Sequence, residues 1–436
     1  MPDATRESRL DALFLWYLGD PSTPRLVGDL HLVSAGKGVS LTYAPAWLHQ
    51  GFALSEDLPL VDIEHMPRGK EVAAGAVDDA RPDRWGERVI QYIDRPRRLS
   101  LMEYLYYAGD DRFGALGVST SSAEYRPRPG GPLPRLADAQ ALSVVVAKIN
   151  ARETLTEVEK RMMAAGGSFG GAKPKALIQI DSEQWVIKFY NNEPIDVPLI
   201  EHASMTLART AGINTAVTAV VWLAGENAVA VRRFDRRQGR RIHSLSAGTA
   251  LCAAAPAGQP ADLGYPNLAQ LLRRIGETAG GANRSDMREL FRRMVFNILI
   301  DNTDDHEKNH ALLVSEPAAL GKLRLAPAYD VLPTNSGQGH QEFMVGDEGG
   351  GSTLSNAMSQ CDQFGLTRTE AAQEVLKVVA VVDGWQAHFR ACGVTTADVE
   401  SLAQRIDGDE LLSQRRSFSA SDHPETLRKP RRSPFR

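Results

Sequence analysis

Three cysteines, Cys252, Cys361 and Cys392, stand far apart in a chain of 436 residues. They fit no metal-ligand spacing, and so small and odd a number points away from a disulfide framework and toward a reducing compartment. No segment approaches the ~18 consecutive apolar residues of a transmembrane helix. The run from Leu13 to Leu18 follows Arg6 and Arg9 somewhat as a signal peptide would. Asp11 and Asp20 bracket only eight residues, however, with no small-residue cleavage site, so a strand is expected there. A large excess of one charge is also missing. The formal net charge is −4, which gives no global nucleic-acid footprint. A cytoplasmic protein without membrane association is expected. Hydrophobic content of 43% and charged content of 24% are ordinary for a globular protein, and the length predicts two to three domains.

LFLWYLGD, RLVGDLHLV and VSLTYAP read as short strands between Gly, Pro and Ser turns. Residues 71–94 and RLSLMEYLYYAG carry helical spacing. Residues 121–135 are Pro- and Gly-rich and mark a first boundary. A helix is expected from Asp138 to about Met163. In AAGGSFGGAKPKALIQI, Gly166, Gly167, Gly170 and Gly171 surround Ser168 and lead into a strand from Lys175 to Ile180. Clustered glycines expose backbone N–H groups to an anion, and Lys173 and Lys175 add positive charge. The loop lacks the Walker A pattern, and a flexible hairpin turn is the plain alternative.

The strand QWVIKFY places Lys188 among apolar neighbours, where a charge is costly unless paired. Glu201, opening a helix to Ala211 that stops at Gly212, would pair with it. An edge-strand lysine reaching for solvent is the alternative. TAVVWLA and AVAVRRFDRR are two further strands. The second ends in Arg233-Phe234-Asp235-Arg236, where Phe234 could flank a base and Asp235 meet a ribose hydroxyl, or Phe234 be core and Asp235 cap a turn. Beyond residue 241 helices dominate: Asn267–Gly276, Ser285–Ile300, Thr369–Phe389, and Thr396–Ile406 capped by Thr396.

The densest chemistry lies in FNILIDNTDDHEKNH, Phe296 to His310. An exposed loop is the bland reading. Asp304 and Asn309 stand five apart, as do the proton-accepting Asp and the Mg²⁺-holding Asn of a protein-kinase catalytic loop. His306-Glu307-Lys308-Asn309-His310 is also a literal H-E-x-x-H, which on a helix would bind zinc with Glu307 as general base. Its flanks, DNTDD and Lys-Asn, lack the apolar body of such a helix. GKLRLAPAYDVLP then brings Asp330 after a short strand, where a second metal-binding Asp follows the catalytic loop in kinases.

DDARPDRWGERV, GDDRFGALG, SFGGAKPKALI, VIKFY with Glu201, RRFDRR, FNILIDNTDDHEKNH and LAPAYD, in this order, resemble the HipA-type serine/threonine kinases. These are the toxin components of bacterial HipBA toxin–antitoxin modules. The resemblance covers nearly the whole chain and implies an α+β, two-lobed protein-kinase-like fold, with a β-rich N-terminal half and a mostly α-helical C-terminal half. It implies a HipA N-terminal subdomain over 1–135, a nucleotide-binding lobe over 136–240 and a helical catalytic lobe over 241–410. The Ser-, Pro- and Arg-rich end over 411–436 has no counterpart in the family, and its composition predicts a disordered basic tail.

The roles implied by the resemblance are specific. Asp304 is the catalytic base, and Asn309 and Asp330 hold Mg²⁺. Lys188, partnered by Glu201, contacts ATP phosphates. The loop from Ser168 through Gly170 and Gly171 to Lys175 covers the nucleotide. The backbone at Arg232 and Phe234 meets adenine, with Asp235 and His306 near the ribose. Ser168 matches an autophosphorylated serine whose modification silences the kinase. Expected partners are a HipB-like helix-turn-helix antitoxin, a protein substrate such as an aminoacyl-tRNA synthetase, and operator DNA reached through the antitoxin, since no DNA-reading element is visible in this chain. A weakly active kinase-fold co-repressor is the second reading and a zinc hydrolase the remote third.

Overall fold

Short apolar and aromatic runs between turn residues place LFLWY and its successors in antiparallel strands. β1 (Ala12–Tyr17), β2 (Arg25–Val33), β3 (Gly38–Tyr43), β4 (Glu64–His65), β5 (Val72–Ala73) and β6 (Leu116–Ser119) form one sheet in the order β4-β3-β2-β1-β6, with β5 parallel to β3. Gly28 of β2 is demanded by close approach, because a Cβ there would lie 2.1 Å from the Thr42 carbonyl oxygen. The chain is seen here in a computed structural model, which describes residues 10, 12–164, 166, 173–190, 192–316 and 318–424. Ser168, Gly170 and Gly171 therefore lie outside the described residues.

Two units divide the chain. The first takes Met1–His202, Ala216–Asp262 and Glu307–Tyr329, and the second takes Ala203–Thr215, Leu263–His306 and Asp330–Arg436. In the first unit, α1 (Pro45–Gln50) follows β3. The helix expected over 71–94 forms only as α2 (Arg84–Ile93), behind a 3-10 turn at Gly75–Ala80. Pro82 explains the break, since the residue before a proline is pushed to extended backbone, and Arg81 has φ −75° and ψ 155°. α3 (Leu101–Tyr107) starts at a capping box of Ser100 and Glu103. The helix expected from Asp138 to Met163 is two, α4 (Ala139–Ala151) and α5 (Glu157–Ala164), broken where Arg152 turns left-handed at φ +60°.

The second sheet of this unit is β7 (Lys175–Ile180), β8 (Glu183–Phe189), β9 (Thr218–Leu223) and β10 (Glu226–Arg232), in the order β7-β8-β10-β9. One face, with Ala176, Ile178, Trp185, Ile187, Phe189, Ala228 and Ala230, packs on Trp85 and Val89 of α2 and on α4. α6 (Val197–Thr210) runs across the division of units. A short ribbon, β11 (Arg236–Arg237) and β12 (Arg240–Arg241), precedes β13 (Ser244–Ser246) and α7 (Ala247–Ala254). β13 pairs with β14 (Ala311–Val314), which pairs with β15 (Leu323–Leu325).

The second unit is helical. α8 (Tyr265–Ile275) and α9 (Ala282–Leu299) pack together, with Phe291 of α9 against Phe364 at 5.3 Å. α10 (Leu354–Ser359) follows, and the helix expected over Thr369–Phe389 divides at Asp383-Gly384 into α11 (Arg368–Val382) and α12 (Trp385–Ala391). α13 (Thr396–Ile406) is capped by Thr395, not Thr396, through its hydroxyl on the Asp398 amide at 3.1 Å. The unstructured tail expected from 411 gives way to α14 (Asp409–Ser417). The reason is Arg415, whose side chain is buried and bonds Asp383 at 2.9 Å and Asp407 at 2.6 Å. Among the described residues no helix is long and apolar enough to cross a membrane.

His243, ahead of β13, is 2% exposed and donates its Nε2 proton to the Leu54 carbonyl at 2.9 Å. Burial lowers its pKa from 6.5 to about 4. A depressed pKa means that the neutral form is favoured by folding, so its contribution is present above about 6.5 and lost as pH falls toward 4. Asp79, pushed up by burial to about 6, acts in the opposite sense, gaining stability on acidification. The comparison of wild type with His243→Gln separates the two. The wild-type advantage over the variant shrinks by on the order of 3 kcal/mol between pH 7 and pH 4, measured by urea unfolding across that range. A constant difference refutes the assignment.

Candidate active site

Strand periodicity puts Lys188 on the face of its sheet opposite the apolar cluster. Its Cα partner across the antiparallel pair is Lys175, and both lysines are buried. Lys188 donates to Glu201 Oε1 at 2.6 Å, with the Glu201 side chain only 2% exposed. Glu201 sits in the second turn of α6, which begins at Val197 rather than at Glu201. The sequence-based pairing of strand lysine with helix glutamate is therefore present. Trp85 of the DDARPDRWGERV segment donates its indole N–H to the Lys175 carbonyl at 2.7 Å, fixing the start of β7. Gly166 is held at φ +77°, where a Cβ would lie 2.5 Å from that of Leu177.

At the end of β10, the Arg232 amide is donated to the Val217 carbonyl at 2.8 Å and its side chain reaches Glu183 at 3.2 Å. Phe234 is half-buried between Phe113 at 6.0 Å and Tyr329 at 5.4 Å between ring centroids. Asp235 is placed differently from the ribose contact expected of it. It is 1% exposed and accepts from Arg233 at 2.9 and 2.7 Å, from Arg236 at 2.9 Å and from the Gly114 amide at 2.7 Å. Burial raises its pKa, but Arg233 and Arg236 outweigh that and hold it down at about 2. A carboxylate so enclosed ties the GDDRFGALG loop to β10 and offers no oxygen to a sugar. Asn309, 8% exposed, closes a 3-10 turn from Glu307. This single turn replaces the α-helix that a zinc-binding H-E-x-x-H needs.

Asp304, His306 and Asp330 belong to the second unit. There α9 stops at Leu299 and Asp301 turns left-handed at φ +58°. The polar stretch that follows is not the exposed loop of the bland reading. Asp301, Asn302, Thr303 and Asp305 are all buried, and Asp304 alone among residues 301–305 is exposed. The loop is pinned residue by residue. Asn302 donates to Asn297 at 3.1 Å, and Asn297 to the Tyr265 hydroxyl at 2.9 Å. The Tyr265 hydroxyl in turn donates to Asp305. Thr303 meets the hydroxyls of Thr334 at 2.7 Å and Ser336 at 2.8 Å, while Thr334 donates to the Asp301 carbonyl at 2.8 Å. Burial, with Asp305 beside it, drives the Tyr265 hydroxyl well above its ordinary range. Burial also raises Asp301. Asp330 is left-handed at φ +57°, a conformation aspartate tolerates better than most residues.

Tyr265, Asn297 and Thr334 were missed by sequence reading, because nothing in their local pattern distinguishes a loop-pinning hydroxyl or amide from an ordinary helix or turn residue. Among the described residues no group of three or more His, Cys, Asp and Glu side chains forms a metal cluster.

Comparison with known proteins follows this geometry. Residues 167–385 match the HipA-like C-terminal domain and residues 23–119 the HipA N-terminal domain. The HipA of Shewanella oneidensis MR-1, solved with HipB and operator DNA from its toxin–antitoxin system, superposes with a TM-score of 0.64 over 94% of this chain and 98% of that one, at 16% identity. That likeness is one of fold. The Helicobacter pylori proinflammatory kinase CtkA has a TM-score of 0.40 at 14% identity over 58% of this chain and 95% of its own. Y4dM of Sinorhizobium fredii, whose name describes it as a candidate kinase, is 28% identical over 254 residues, 55% of this chain and 56% of that protein. The match thus spans about half of its relative's length. A fold with a β-rich N-terminal half and a helical C-terminal half, a match to the C-terminal domain over more than half the sequence and a second match ahead of it lead to one conclusion: the chain belongs to the HipA family.

Proposed function

We propose that the protein is a toxin serine/threonine kinase of a toxin–antitoxin module, transferring the γ-phosphate of ATP to a protein hydroxyl. The observation that carries this reading is the buried Lys188–Glu201 pair at 2.6 Å, on a strand that places Lys175 directly opposite Lys188. Like charges facing each other across a sheet repel, and a polyphosphate is the kind of anion that relieves them. Glu201 holds the Lys188 ammonium in place, and Phe234 offers a ring face to a base.

The residues assigned to the metal suit it. An Asn amide oxygen and an Asp carboxylate, from Asn309 and Asp330, are the hard oxygen donors that Mg²⁺ takes. Bound Mg²⁺ supplies charge neutralisation on the β- and γ-phosphate oxygens. Asp304 orients the attacking hydroxyl and accepts its proton, its carboxylate exposed while its loop neighbours are fixed. Positioning and electrostatics supply most of the rate in such a site. His306 is assigned to the ribose. Ser168 is the autophosphorylation site. A phosphoserine brings about −1.5 to −2 charges into a loop that also holds Lys173 and Lys175, and so competes with ATP for them. A HipB-like antitoxin, operator DNA through that antitoxin, an aminoacyl-tRNA synthetase as substrate, growth inhibition as outcome and a cytoplasmic location complete the reading.

The test is incubation of the purified chain, checked first by intact mass for prior phosphorylation, with radiolabelled ATP and Mg²⁺, followed by mapping of the label. Label on Ser168 is expected. Unmodified protein that binds ATP yet labels neither itself nor candidate substrates would favour a co-repressor that works with a DNA-binding antitoxin. Failure to bind ATP, together with stoichiometric zinc lost in His306→Ala, would turn the reading to a hydrolase.

A further inference from the structure

The 3-10 turn that carries Asn309 rests on helix α7, and α7 is clamped at both ends by the N-terminal region of the chain. At its start, Asp79 accepts from the Ser246 amide at 2.7 Å, the Ser246 hydroxyl at 2.8 Å and the Thr249 hydroxyl at 2.8 Å, while Ser246 caps the Thr249 amide at 3.1 Å. At its end, Arg68 donates to the carbonyls of Cys252 at 2.9 Å, Ala253 at 3.1 Å and Ala255 at 2.7 Å. A carboxylate at the N-terminus and a guanidinium at the C-terminus both match the helix dipole. The helix is thus fixed along its axis as well as buried.

Between these clamps the first turn of α7 meets both ends of the Asn309 turn. The Ala247 amide donates to the His310 carbonyl at 2.8 Å. Gly248 comes so close to Glu307 that a Cβ on it would lie 2.6 Å from Glu307 Cγ and 3.6 Å from its Cβ. Glycine in a helix is costly relative to alanine, by about 1 kcal/mol, so its presence here calls for a local reason. Gly248 has an ordinary helical backbone, which leaves the close approach as that reason. Two further contacts hold the middle of the turn. The Lys308 ammonium pairs with Asp83 at 3.0 Å, and the Tyr329 hydroxyl donates to the Lys308 carbonyl at 2.6 Å.

We propose that Gly248 is a positioning residue for Asn309: the bare Cα lets α7 seat the Glu307 turn, and this seating sets the Asn309 carboxamide for a divalent cation. The proposal rests on the assignment of Asn309 to Mg²⁺ and adds to it a supporting element built from the N-terminal region. Loss of such outer support commonly costs 10–100-fold in metal affinity.

The experiment is equilibrium binding of a fluorescent ATP analogue to the full chain across a Mg²⁺ titration, with thermal melting alongside. Gly248→Ala is expected to raise the Mg²⁺ concentration for half-maximal enhancement at least about tenfold, with Mg²⁺-free nucleotide binding and melting unchanged. Gly248→Ala combined with Glu307→Ala, which removes the obstructing Cγ, is expected to return toward the wild-type requirement. A Gly248→Ala protein with the wild-type Mg²⁺ response overturns the proposal, as does equal loss of binding with and without Mg²⁺. If Gly248→Ala does not fold, Asp79→Asn takes its place. It loosens the α7 clamp without adding volume, and an unchanged Mg²⁺ requirement there overturns the proposal in the same way. Wild-type protein that binds the analogue with no response to Mg²⁺ overturns the assignment of Asn309 itself, which is a different failure.

Discussion

Asp304→Ala reduces phosphoryl transfer by about 10²–10⁴-fold, the usual worth of a positioned general base, and leaves the melting temperature within about 2 °C of wild type. The two halves of this expectation come from one observation. Asp304 is exposed, whereas Asp301, Asn302, Thr303 and Asp305 around it are buried. Removing an exposed carboxylate exposes no core. The scaffold of the loop survives because it is made by Asp305, Tyr265, Asn297 and Thr334. Asp305→Ala is the informative control. It removes the acceptor of the buried Tyr265 hydroxyl and so lowers stability as well as activity. Transfer rates and melting curves on the two variants separate chemistry from scaffold. Equal stability loss in both, or full activity in Asp304→Ala, refutes the role given to Asp304.

Lys188→Ala costs about 3–5 kcal/mol of stability and abolishes productive ATP binding. The Glu201 side chain is 2% exposed, so removing its partner at 2.6 Å leaves a carboxylate in a poorly solvated place. Joint replacement, Lys188→Met with Glu201→Leu, removes both charges, and replacing a whole buried pair by apolar groups is often close to neutral. The double variant is therefore expected to recover much of the stability and none of the activity. Urea unfolding of the two singles and the double, read as a cycle, checks the coupling, and nucleotide titration checks the function. A double variant as unstable as Lys188→Ala contradicts the pairwise account.

Much of this architecture was legible in the residues. Strands β1, β2, β3, β7, β8, β9 and β10 announce themselves as short apolar, β-branched and aromatic runs between turn residues, and the ends of α8 and α9 lie within a few residues of the periodic runs. Lys188 with Glu201 could be read from order alone, since a lysine in an apolar strand needs an acid and the next helix supplies one. What escaped was set by tertiary packing. β13 has three residues, too few for a period to show. The break at Arg152 depends on one left-handed residue, which composition does not signal. Asp235 lies among four arginines in RRFDRR, and sequence alone cannot say whether it faces them or a ligand. Its burial decides for the arginines. The support given to Asn309 by α7 joins residues more than 50 positions apart, from segments with no shared local pattern.

The pairing of β13 with β14 and β15 has a consequence for how the protein comes into being. Ser244 finds its partner in Leu313, and the first unit is not complete until Tyr329. At a synthesis rate of about 5–20 residues per second, roughly 15–65 s pass between the first residue and that point. For somewhat under a third of this time, between residues 210 and 309, the nascent chain carries β7, β8 and α6, with Lys188 and Glu201, but neither Asn309 nor Asp330. A transcript cut short before residue 307 yields a polypeptide with a candidate ATP-holding sheet and no Asn309 turn to act with.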